Sequence, residues 1–372
     1  MKKINQTVSN IKKIQNGKIN TFMNKMKKTM KKECPYAMNL LKLGSKSKND
    51  AGLRVSELGK QIKADFGQMF FYDLVDNAMR VPHWHSDGDE IGMVLKGEIR
   101  ITIWNGKDGE KHEFTAAKNG TWFIPRGTLH CLENVSNSMS EFLVCYNNPD
   151  TADRDFLDAW HSLPTEIICS STMITKKDAE KIRSQQIHNR LSKFEPNIQK
   201  KSTIHYSPYS NNFNNTEPIF SNKNLGEIRK IGPNNTVEMK MAWQKTILKP
   251  GALRIPHWYT NSNVLLYVHK GSAFVTILDS IGDGIQEKCY TFVINKGYVL
   301  SLPTGFFHSI LNIGDDNLIF YEAFMSGETN EISLLKGVKE LGNSISAGAL
   351  GLSTKQTSLM LNNKAPEFIV KF

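Results

Sequence analysis

The chain has 372 residues, of which 40% are apolar and 22% charged, so it has a globular composition and the length of two ordinary domains. No run approaches the ~18 uninterrupted apolar residues of a membrane helix, and the lysine-rich N-terminus lacks the apolar segment of a secretory signal. The five cysteines are odd in number and form no CxxC pair, which disfavours a disulfide framework. A reducing compartment fits this pattern, so we expect a cytoplasmic protein.

The net charge of +11 is concentrated at the N-terminus. Residues 1–48 contain 13 lysines and a single acid, Glu33, whereas the rest of the chain is close to neutral. A basic arm of this kind can contact an anionic surface. No interleaved aromatic pattern or nucleic-acid-binding motif accompanies the lysines, so we predict no nucleic-acid partner. Residues 1–50 are therefore expected to be a basic, disordered extension.

Two sequence motifs occur twice, in the same order. The stretch VPHWHSDGDEIGMVLKGEIR (Val81–Arg100) is repeated as IPHWYTNSNVLLYVHKGSAF (Ile255–Phe274). The pattern Pro-x-Gly-x-x-His-x-x-x-Asn lies within residues 120–134 and again within residues 297–312. Two different motifs repeated in order indicate two copies of one domain.

Each copy is predicted to be all-β. Short runs rich in β-branched and aromatic residues are separated by glycine, asparagine, aspartate or proline, as in FFYDLVD, EIGMVLK and EIRITIW. This spacing is typical of a sandwich or barrel. Helical patterns follow each copy, and STKQTSLMLNN begins with a capping-box pattern. The predicted regions are the extension (1–50), the first metal-binding domain (51–170), a helix and linker (171–235), the second domain with a degenerate site (236–335), and a C-terminal helical segment (336–372).

The first copy carries a polar cluster with the spacing of a metal site. His83 and His85 are two apart on a predicted strand and face the same way, and Glu90 begins the returning strand. His130 is placed by the turn PRGTLH. Burying such polar groups costs free energy unless each has a partner, and one bound divalent cation can be the partner of all four. Ligands of nitrogen and oxygen without thiolate suit Mn, Fe, Ni, Co or Zn, and four protein ligands leave an octahedral ion two open positions.

The second copy has lost half of this cluster. His257 and His308 remain, but Tyr259 and Val264 stand where the first copy has a histidine and the glutamate. Two histidines make a poor metal site. We expect His257 and His308 to be hydrogen-bonded core residues, in a domain retained for its structure.

These motifs resemble a known family. His-x-His-x₄-Glu-x₆-Gly followed by Pro-x-Gly-x-x-His-x-x-x-Asn is similar to the two motifs of the cupin superfamily, and two copies resemble the bicupins. AMRVPHWH and DFLDAWHSLPTEII are similar to segments of the oxalate decarboxylase family. The resemblance covers roughly residues 50 to 372. It implies two tandem double-stranded β-helix (jelly-roll) barrels with flanking helices.

The resemblance also implies an activity. The matching residues would hold Mn²⁺ (His83, His85, Glu90 and His130), and Arg80 matches an arginine that binds a substrate carboxylate. The implied enzyme is a lyase that converts oxalate to formate and CO₂ and uses O₂ as a cofactor. An oxalate oxidase or other dioxygenase, and a non-catalytic metal- or ligand-binding cupin, remain alternatives. We expect a homo-oligomer that takes a small carboxylate.

One loop departs from the family pattern. The family has a glutamate in a Ser-Glu-Asn loop after the first barrel, and that glutamate protonates the product. The corresponding stretch here, NNPDTADRDF, has no glutamate. Asp150, Asp153 and Asp155 are the available acids, and we predict that Asp153 takes the catalytic role because it lies nearest the middle of the loop. An aspartate is one methylene shorter, so decarboxylation should be weak.

Overall fold

The structure is a computed structural model that describes residues 17–28, 30, 33–45, 47–55, 58, 62–104, 109–185, 190–194, 207–236, 239–279, 288–362 and 368–372. The chain divides into two compact units. We call residues 40–216 with 231–243 the N-terminal unit. The C-terminal unit comprises residues 217–230 and 244–372 with the described part of residues 1–39.

The fold is built from short strands, as predicted. The first half of the chain contains β1 (Ala37–Asn39), β2 (Ser47–Asn49), β3 (Gly52–Val55), β4 (Gln68–Leu74), β5 (Ala78–His85), β6 (Glu90–Lys96), β7 (Glu98–Trp104), β8 (Lys111–Ala117), β9 (Gly120–Ile124), β10 (Leu129–Asn134), β11 (Ser140–Tyr146), β12 (Asp153–Asp155) and β13 (Leu191–Lys193). The second half contains β14 (Ser210–Asn212), β15 (Pro218–Asn222), β16 (Gly226–Ile231), β17 (Ala242–Leu248), β18 (Ala252–Tyr259), β19 (Val264–Lys270), β20 (Ser272–Asp279), β21 (Lys288–Asn295), β22 (Tyr298–Leu302), β23 (Phe307–Asn312), β24 (Leu318–Phe324), β25 (Glu331–Ser333) and β26 (Ile369–Lys371).

The N-terminal unit consists of two antiparallel sheets. One has the order β14-β9-β6-β11-β4-β3-β2, and the other has the order β12-β5-β10-β7-β8 with β13 also paired to β5. The C-terminal unit repeats this arrangement as β1-β22-β19-β24-β17-β16-β15 and β21-β20-β23-β18-β25, with β26 on β18. Residues Glu90–Leu95 of β6 are buried on both faces, which explains the nearly continuous apolar run of that strand. The predicted all-β, two-copy jelly-roll architecture is confirmed.

Helices follow the strands of each copy, as the sequence predicted. The α-helices comprise residues 17–26, Phe156–Ser162, Thr165–Thr172, Lys176–Arg183, Leu334–Leu350 and Thr354–Leu361, and 3₁₀ turns occupy Leu40–Lys42 and Phe213–Asn215. The predicted capping box is confirmed, since Ser353 Oγ accepts from the Gln356 backbone N–H and Gln356 accepts from the Ser353 N–H. None of the helices in these ranges is both long and apolar enough to cross a membrane.

The N-terminal residues differ from the expected disordered extension. Residues 17–26 are helical, and the Phe22 ring packs edge-on against Phe274 and Phe372, with centroids 5.0 and 4.9 Å away. Ile19, one turn earlier, is buried as well. The high lysine count hid this spacing of apolar residues, which gives the helix one face to bury. Residues 1–16 lie outside the described ranges.

A third repeated segment also became evident only in the structure. β1 pairs with β22 in the C-terminal unit, and β14 pairs with β9 in the N-terminal unit. Each of these strands follows a Pro-Tyr pair whose tyrosine is buried: Tyr36 before β1 and Tyr209 before β14. Tyr36 donates its hydroxyl to Asp279 over 2.8 Å. Residues 33–39 are therefore an integral part of the C-terminal unit.

Candidate metal centre

A bulge in β5 brings its polar residues onto one face. The register with β10 pairs His130 with His83 and Leu132 with Arg80, so it shifts between these two pairs. Residues three apart on a regular strand would face opposite ways, whereas the bulge at Val81 and Pro82 lets Arg80, His83 and His85 all be buried. The equivalent strand β18 has the same shift between Arg254 and His257.

The structure brings together the four residues that the sequence singled out as metal ligands. His83 and His85 come from β5, Glu90 is the first residue of β6, and His130 lies on β10. One ligand atom from each lies within 4.8 Å of the others, and no side chain of the four is more than 2% exposed. A cluster of three imidazoles and a carboxylate could hold one metal ion.

Glu90 is held by two neutral donors. Trp122 donates its indole N–H to Oε1 over 2.8 Å, and the Tyr146 hydroxyl donates to Oε2 over 3.0 Å. Burial alone would raise the pKa of this carboxyl, but His130 and His85 outweigh it and hold the pKa below its usual range. Glu90 is therefore an ionised carboxylate. Sequence reasoning missed Trp122 and Tyr146, because nothing in the spacing of either residue links it to Glu90.

Backbone carbonyls set the orientation of two of the histidines. His83 donates its Nδ1–H to the Val81 carbonyl and His130 to the Thr128 carbonyl, each over 2.8 Å. With Nδ1 used in this way, Nε2 is the ring nitrogen left to bind a metal. Burial, and next the charge of Arg80, hold the pKa of His83 well below its ordinary value, so this imidazole stays neutral.

The cluster passes a direct test for a cation site. The Nε2 atoms of His85 and His130 lie 3.3 and 3.5 Å from Oε2 of Glu90. Neither atom makes an aligned hydrogen bond to any part of the chain that the structure describes. Buried nitrogen atoms without partners, facing one ionised oxygen, fit a divalent ion with mixed nitrogen and oxygen ligands.

Arg80 lies beside the cluster and is fully buried. Its Nη1 donates to Asp155 over 2.7 Å, and its Nη2 lies 3.2 Å from Asp153 Oδ2 without hydrogen-bond alignment. Within the described ranges, Nε and Nη2 have no hydrogen-bond partner. Burial disfavours the charged guanidinium, but Asp153 and Asp155 keep its pKa raised, so Arg80 remains a cation with two unused donors.

Asp153 lies close to the cluster but is poorly suited to the predicted role of proton donor. Its Oδ2 accepts from Arg54 and Arg190 over 2.8 and 2.7 Å, and its Oδ1 lies 3.1 Å from His85 Nδ1. Burial would raise its pKa, but Arg80, His85 and Arg54 hold it well below the usual range. The carboxylate has no proton to give in this arrangement. Sequence reasoning could not foresee the three arginines, which converge from different strands and loops.

The corresponding site of the C-terminal unit is rearranged. His257 and His308 donate their Nδ1–H groups to Ile255 and Phe306, but their Nε2 atoms lack partners among the described residues, so the expected hydrogen bonding is only half complete. Tyr259 instead donates to Glu322 over 2.8 Å, as does Gln244 over 2.7 Å. Glu322 lies on β24, outside both motifs, so the sequence analysis missed it. Across the described ranges, only the first copy forms a metal-ligand cluster of three or more such residues.

Comparison with known proteins identifies the family. The Cupin family matches residues 60–180 and 211–358, well over half of the sequence, and the chain belongs to that family. Two such domains make it a bicupin, and its relatives place it among proteins that resemble oxalate decarboxylase.

Two relatives and one solved structure illustrate this. Oxalate decarboxylase OxdC of Bacillus subtilis is 25% identical over 305 residues, which are 79% of this chain and 76% of that protein. The oxalate decarboxylase of Arthroderma benhamiae is 23% identical over 310 residues, or 75% and 71% of the two chains. A Bacillus subtilis oxalate decarboxylase structure, from work on its Mn(II) centers, superposes with a TM-score of 0.78 at 20% identity, covering 91% of this chain and 89% of that one.

Proposed function

We propose that this chain is a metal-dependent enzyme that acts on oxalate at one Mn²⁺ site in its N-terminal unit. The observation that carries the proposal is the buried quartet His83, His85, Glu90 and His130 beside Arg80, a cation with two unused donors. The similarity to oxalate decarboxylases supports oxalate as the substrate and Mn²⁺ as the metal. Fe²⁺, Ni²⁺, Co²⁺ and Zn²⁺ also suit these ligands.

The four ligands would hold the ion, and the bound ion would supply Lewis-acid polarisation of a substrate carboxylate. Arg80 would orient the substrate, since its Nε and Nη2 can donate to one carboxylate as a fork. Trp122 and Tyr146 keep Glu90 in place, so that it stays ionised and directed at the cluster. The burial of all these groups excludes water and strengthens their interaction with an anion.

In the proposed reaction the oxalate mono-anion, C₂HO₄⁻, gives CO₂ and formate, HCO₂⁻. The carbon–carbon bond breaks, its electron pair stays on the carbon that becomes formate, and that carbon takes the proton. The family uses O₂ as a cofactor, and we propose the same requirement here. Because Asp153 is bound by arginines, it does not supply the proton in the arrangement observed.

This restraint on Asp153 favours a second candidate function, oxalate oxidation. Without a protonating acid, the mono-anion would react with O₂ and a proton to give two CO₂ and one H₂O₂. A third reading, a non-catalytic cupin that binds a carboxylate at the metal, requires only the ligand quartet and Arg80. The products of the reaction separate the three candidates.

The test is to load the purified chain with Mn²⁺ and measure formate, CO₂ and H₂O₂ from isotopically labelled oxalate. Equal amounts of formate and CO₂ would support decarboxylation, and H₂O₂ with CO₂ alone would support oxidation. No turnover of a panel of small carboxylic acids would contradict an enzymatic role. The variants His85→Ala and Glu90→Gln should lose both metal and turnover, whereas His257→Ala, in the rearranged site, should keep about one metal per chain.

We also propose that the chain forms a homo-oligomer in the cytoplasm. Exposed apolar residues on the helices that follow β25 support self-association: Leu341, Ile345 and Leu359 are 54%, 62% and 71% exposed. Light scattering after size exclusion would measure the oligomer, and a monomer at micromolar concentration would contradict it. Contact of the N-terminal lysines with an anionic surface remains a prediction, which salt-dependent binding to anionic vesicles would test.

A further inference from the structure

Four of the five histidines in the two equivalent sites are oriented in the same way. In each of the four, the Nδ1–H donates to the backbone carbonyl of the residue two positions earlier, so that Nε2 is the remaining ring nitrogen. The four distances, for His83, His130, His257 and His308, are 2.8, 2.8, 2.7 and 2.9 Å. His85 is the exception.

The Nδ1 atom of His85 lies 3.1 Å from Oδ1 of Asp153. This contact is not an aligned hydrogen bond in the geometry observed, and neither atom has any other hydrogen-bond partner in the described part of the chain, although both atoms are buried. Two buried polar atoms in contact and without other partners are most simply each other's partner. The Asp153 carboxylate therefore contacts Nδ1 of His85 in the way that a backbone carbonyl contacts Nδ1 of the other four histidines.

Asp153 is itself held firmly. β12 pairs with β5 so that Asp153 is directly opposite His85, which sets the distance between the two side chains. Its other oxygen, Oδ2, accepts from Arg54 and Arg190, and the Arg54 guanidinium packs over the Phe70 ring at 4.2 Å. A carboxylate anchored on one oxygen can fix an imidazole with the other.

The C-terminal unit provides an internal comparison. There β25 pairs with β18 so that Glu331 is opposite Tyr259, just as Asp153 is opposite His85. Glu331 binds Arg254 in a close ion pair, as Asp153 contacts Arg80. Tyr259 instead turns its hydroxyl to Glu322. The carboxylate–arginine contact thus occurs in both units, whereas the contact to an imidazole occurs only where the ligand quartet exists.

We propose that Asp153 is a positioning residue for the metal site, which holds His85 with Nε2 directed at Glu90 and thereby raises the affinity for the ion. This inference rests on the proposed metal site but not on the substrate or the reaction. A carboxylate that accepts the second N–H of a ligating imidazole fixes the ring and makes its other nitrogen a better donor. Loss of such a partner lowers metal affinity by roughly 10–100-fold in other sites.

The experiment compares the full-length chain with three variants: Asp153→Ala, Asp153→Asn and Glu331→Ala. Mn²⁺ affinity would be measured by titration, the Mn(II) EPR spectrum would report ligand geometry, and a melting curve would report stability. Asp153→Ala should bind Mn²⁺ about 10–100-fold more weakly with a changed spectrum. Asp153→Asn keeps an acceptor oxygen and should lose less. Glu331→Ala removes the matched carboxylate and should lower the melting temperature without changing affinity or spectrum.

The outcomes separate this inference from the proposed function. Unchanged affinity and spectrum in folded Asp153→Asn and Asp153→Ala would overturn it, even if oxalate is turned over. Weaker affinity in Asp153→Ala would sustain it, even if oxalate is not a substrate. If Asp153→Ala does not fold, unchanged affinity in Asp153→Asn together with an unchanged spectrum would overturn it. An unsubstituted chain that binds no Mn²⁺ would overturn both proposals.

Discussion

Trp122 donates its indole N–H to the Glu90 carboxylate over 2.8 Å, and the space for that indole is made by Gly92, which is directly opposite Trp122 in the sheet. A Cβ atom at Gly92 would lie 1.9 Å from the Trp122 ring, far inside van der Waals contact. The glycine two residues after the ligand is thus a structural requirement of the metal site, although it touches no ligand atom.

Gly92→Ala should therefore weaken metal binding as well as stability. The methyl group must displace the indole, which loosens Glu90 and overpacks the core at a cost of about 1–3 kcal/mol. Mn²⁺ titration and chemical denaturation would measure the two effects. Gly348→Ala is the control, because Gly348 is exposed on a helix with no atom within 4 Å of a new Cβ, and it should leave metal affinity unchanged. Equal affinity in Gly92→Ala would show that Trp122 does not hold Glu90.

Arg80→Ala should destabilise the N-terminal unit strongly. Asp153 and Asp155 are both buried, and Arg80 contacts both of them. Asp153 would keep Arg54 and Arg190, whereas Asp155 would lose its 2.7 Å partner and keep only Arg190 at 3.6 Å. Removing one partner from a buried ion pair costs about 3–5 kcal/mol, and the remaining arginine should place this variant near the lower end of that range. Denaturant unfolding would measure the loss. Arg154 is an exposed arginine on β12, between the two aspartates, and Arg154→Ala should change the free energy of unfolding by less than about 0.5 kcal/mol. Similar effects in both variants would argue against the buried network.

The buried histidines of the C-terminal unit predict a loss of stability in mild acid. Burial, together with the charge of Arg254, lowers the pKa of His308 from 6.5 to about 4, although the hydrogen bond to the Phe306 carbonyl opposes the shift. Between those two pH values the unfolded chain binds more protons than the folded one, so the free energy of unfolding falls as the pH falls. The full effect of His308 is on the order of 3 kcal/mol, and it vanishes above pH 6.5.

His308→Asn tests this dependence, because the asparagine amide can still donate to the Phe306 carbonyl but does not titrate. In urea unfolding of the metal-free chain, the free energy of unfolding should fall less steeply from pH 6.5 to 4 in the variant than in the unsubstituted protein. At pH 7–8 the two proteins should show the same pH dependence. An equal pH dependence in the two proteins between pH 4 and 6.5 would show that His308 does not cause the loss of stability in acid.

The N-terminal helix should contribute measurably to the C-terminal unit. Phe22 is half-buried and meets two aromatic rings, so Phe22→Ala should cost about 2 kcal/mol, below the ~3–5 kcal/mol of a fully buried phenylalanine. Thermal unfolding would measure the change. Lys25→Ala, on the exposed face of the same helix, is the matched control. If neither variant shifts the melting temperature, the helix does not stabilise this unit in solution.

The sequence alone determined the strands and the ligand quartet of this protein. Period-two spacing placed His83 and His85 on one face of a strand, a short turn placed Glu90 beside them, and the rigid turn before His130 brought in the fourth residue. The two repeated motifs revealed the two copies. These features depend on neighbours within a few residues, or on motifs that recur, and a single sequence displays both.

Only the tertiary structure decided what surrounds that quartet. Trp122 meets Glu90, and Asp153 meets His85, because of the register between strands that are far apart in the chain. Glu322 meets Tyr259 because the two sheets of the C-terminal unit bring β24 and β18 together. The sequence does not show whether a carboxylate lies in water or among three arginines. The expectation that Asp153 donates a proton therefore failed, because burial and its arginine partners keep it an anion. No local sequence pattern encodes those two properties.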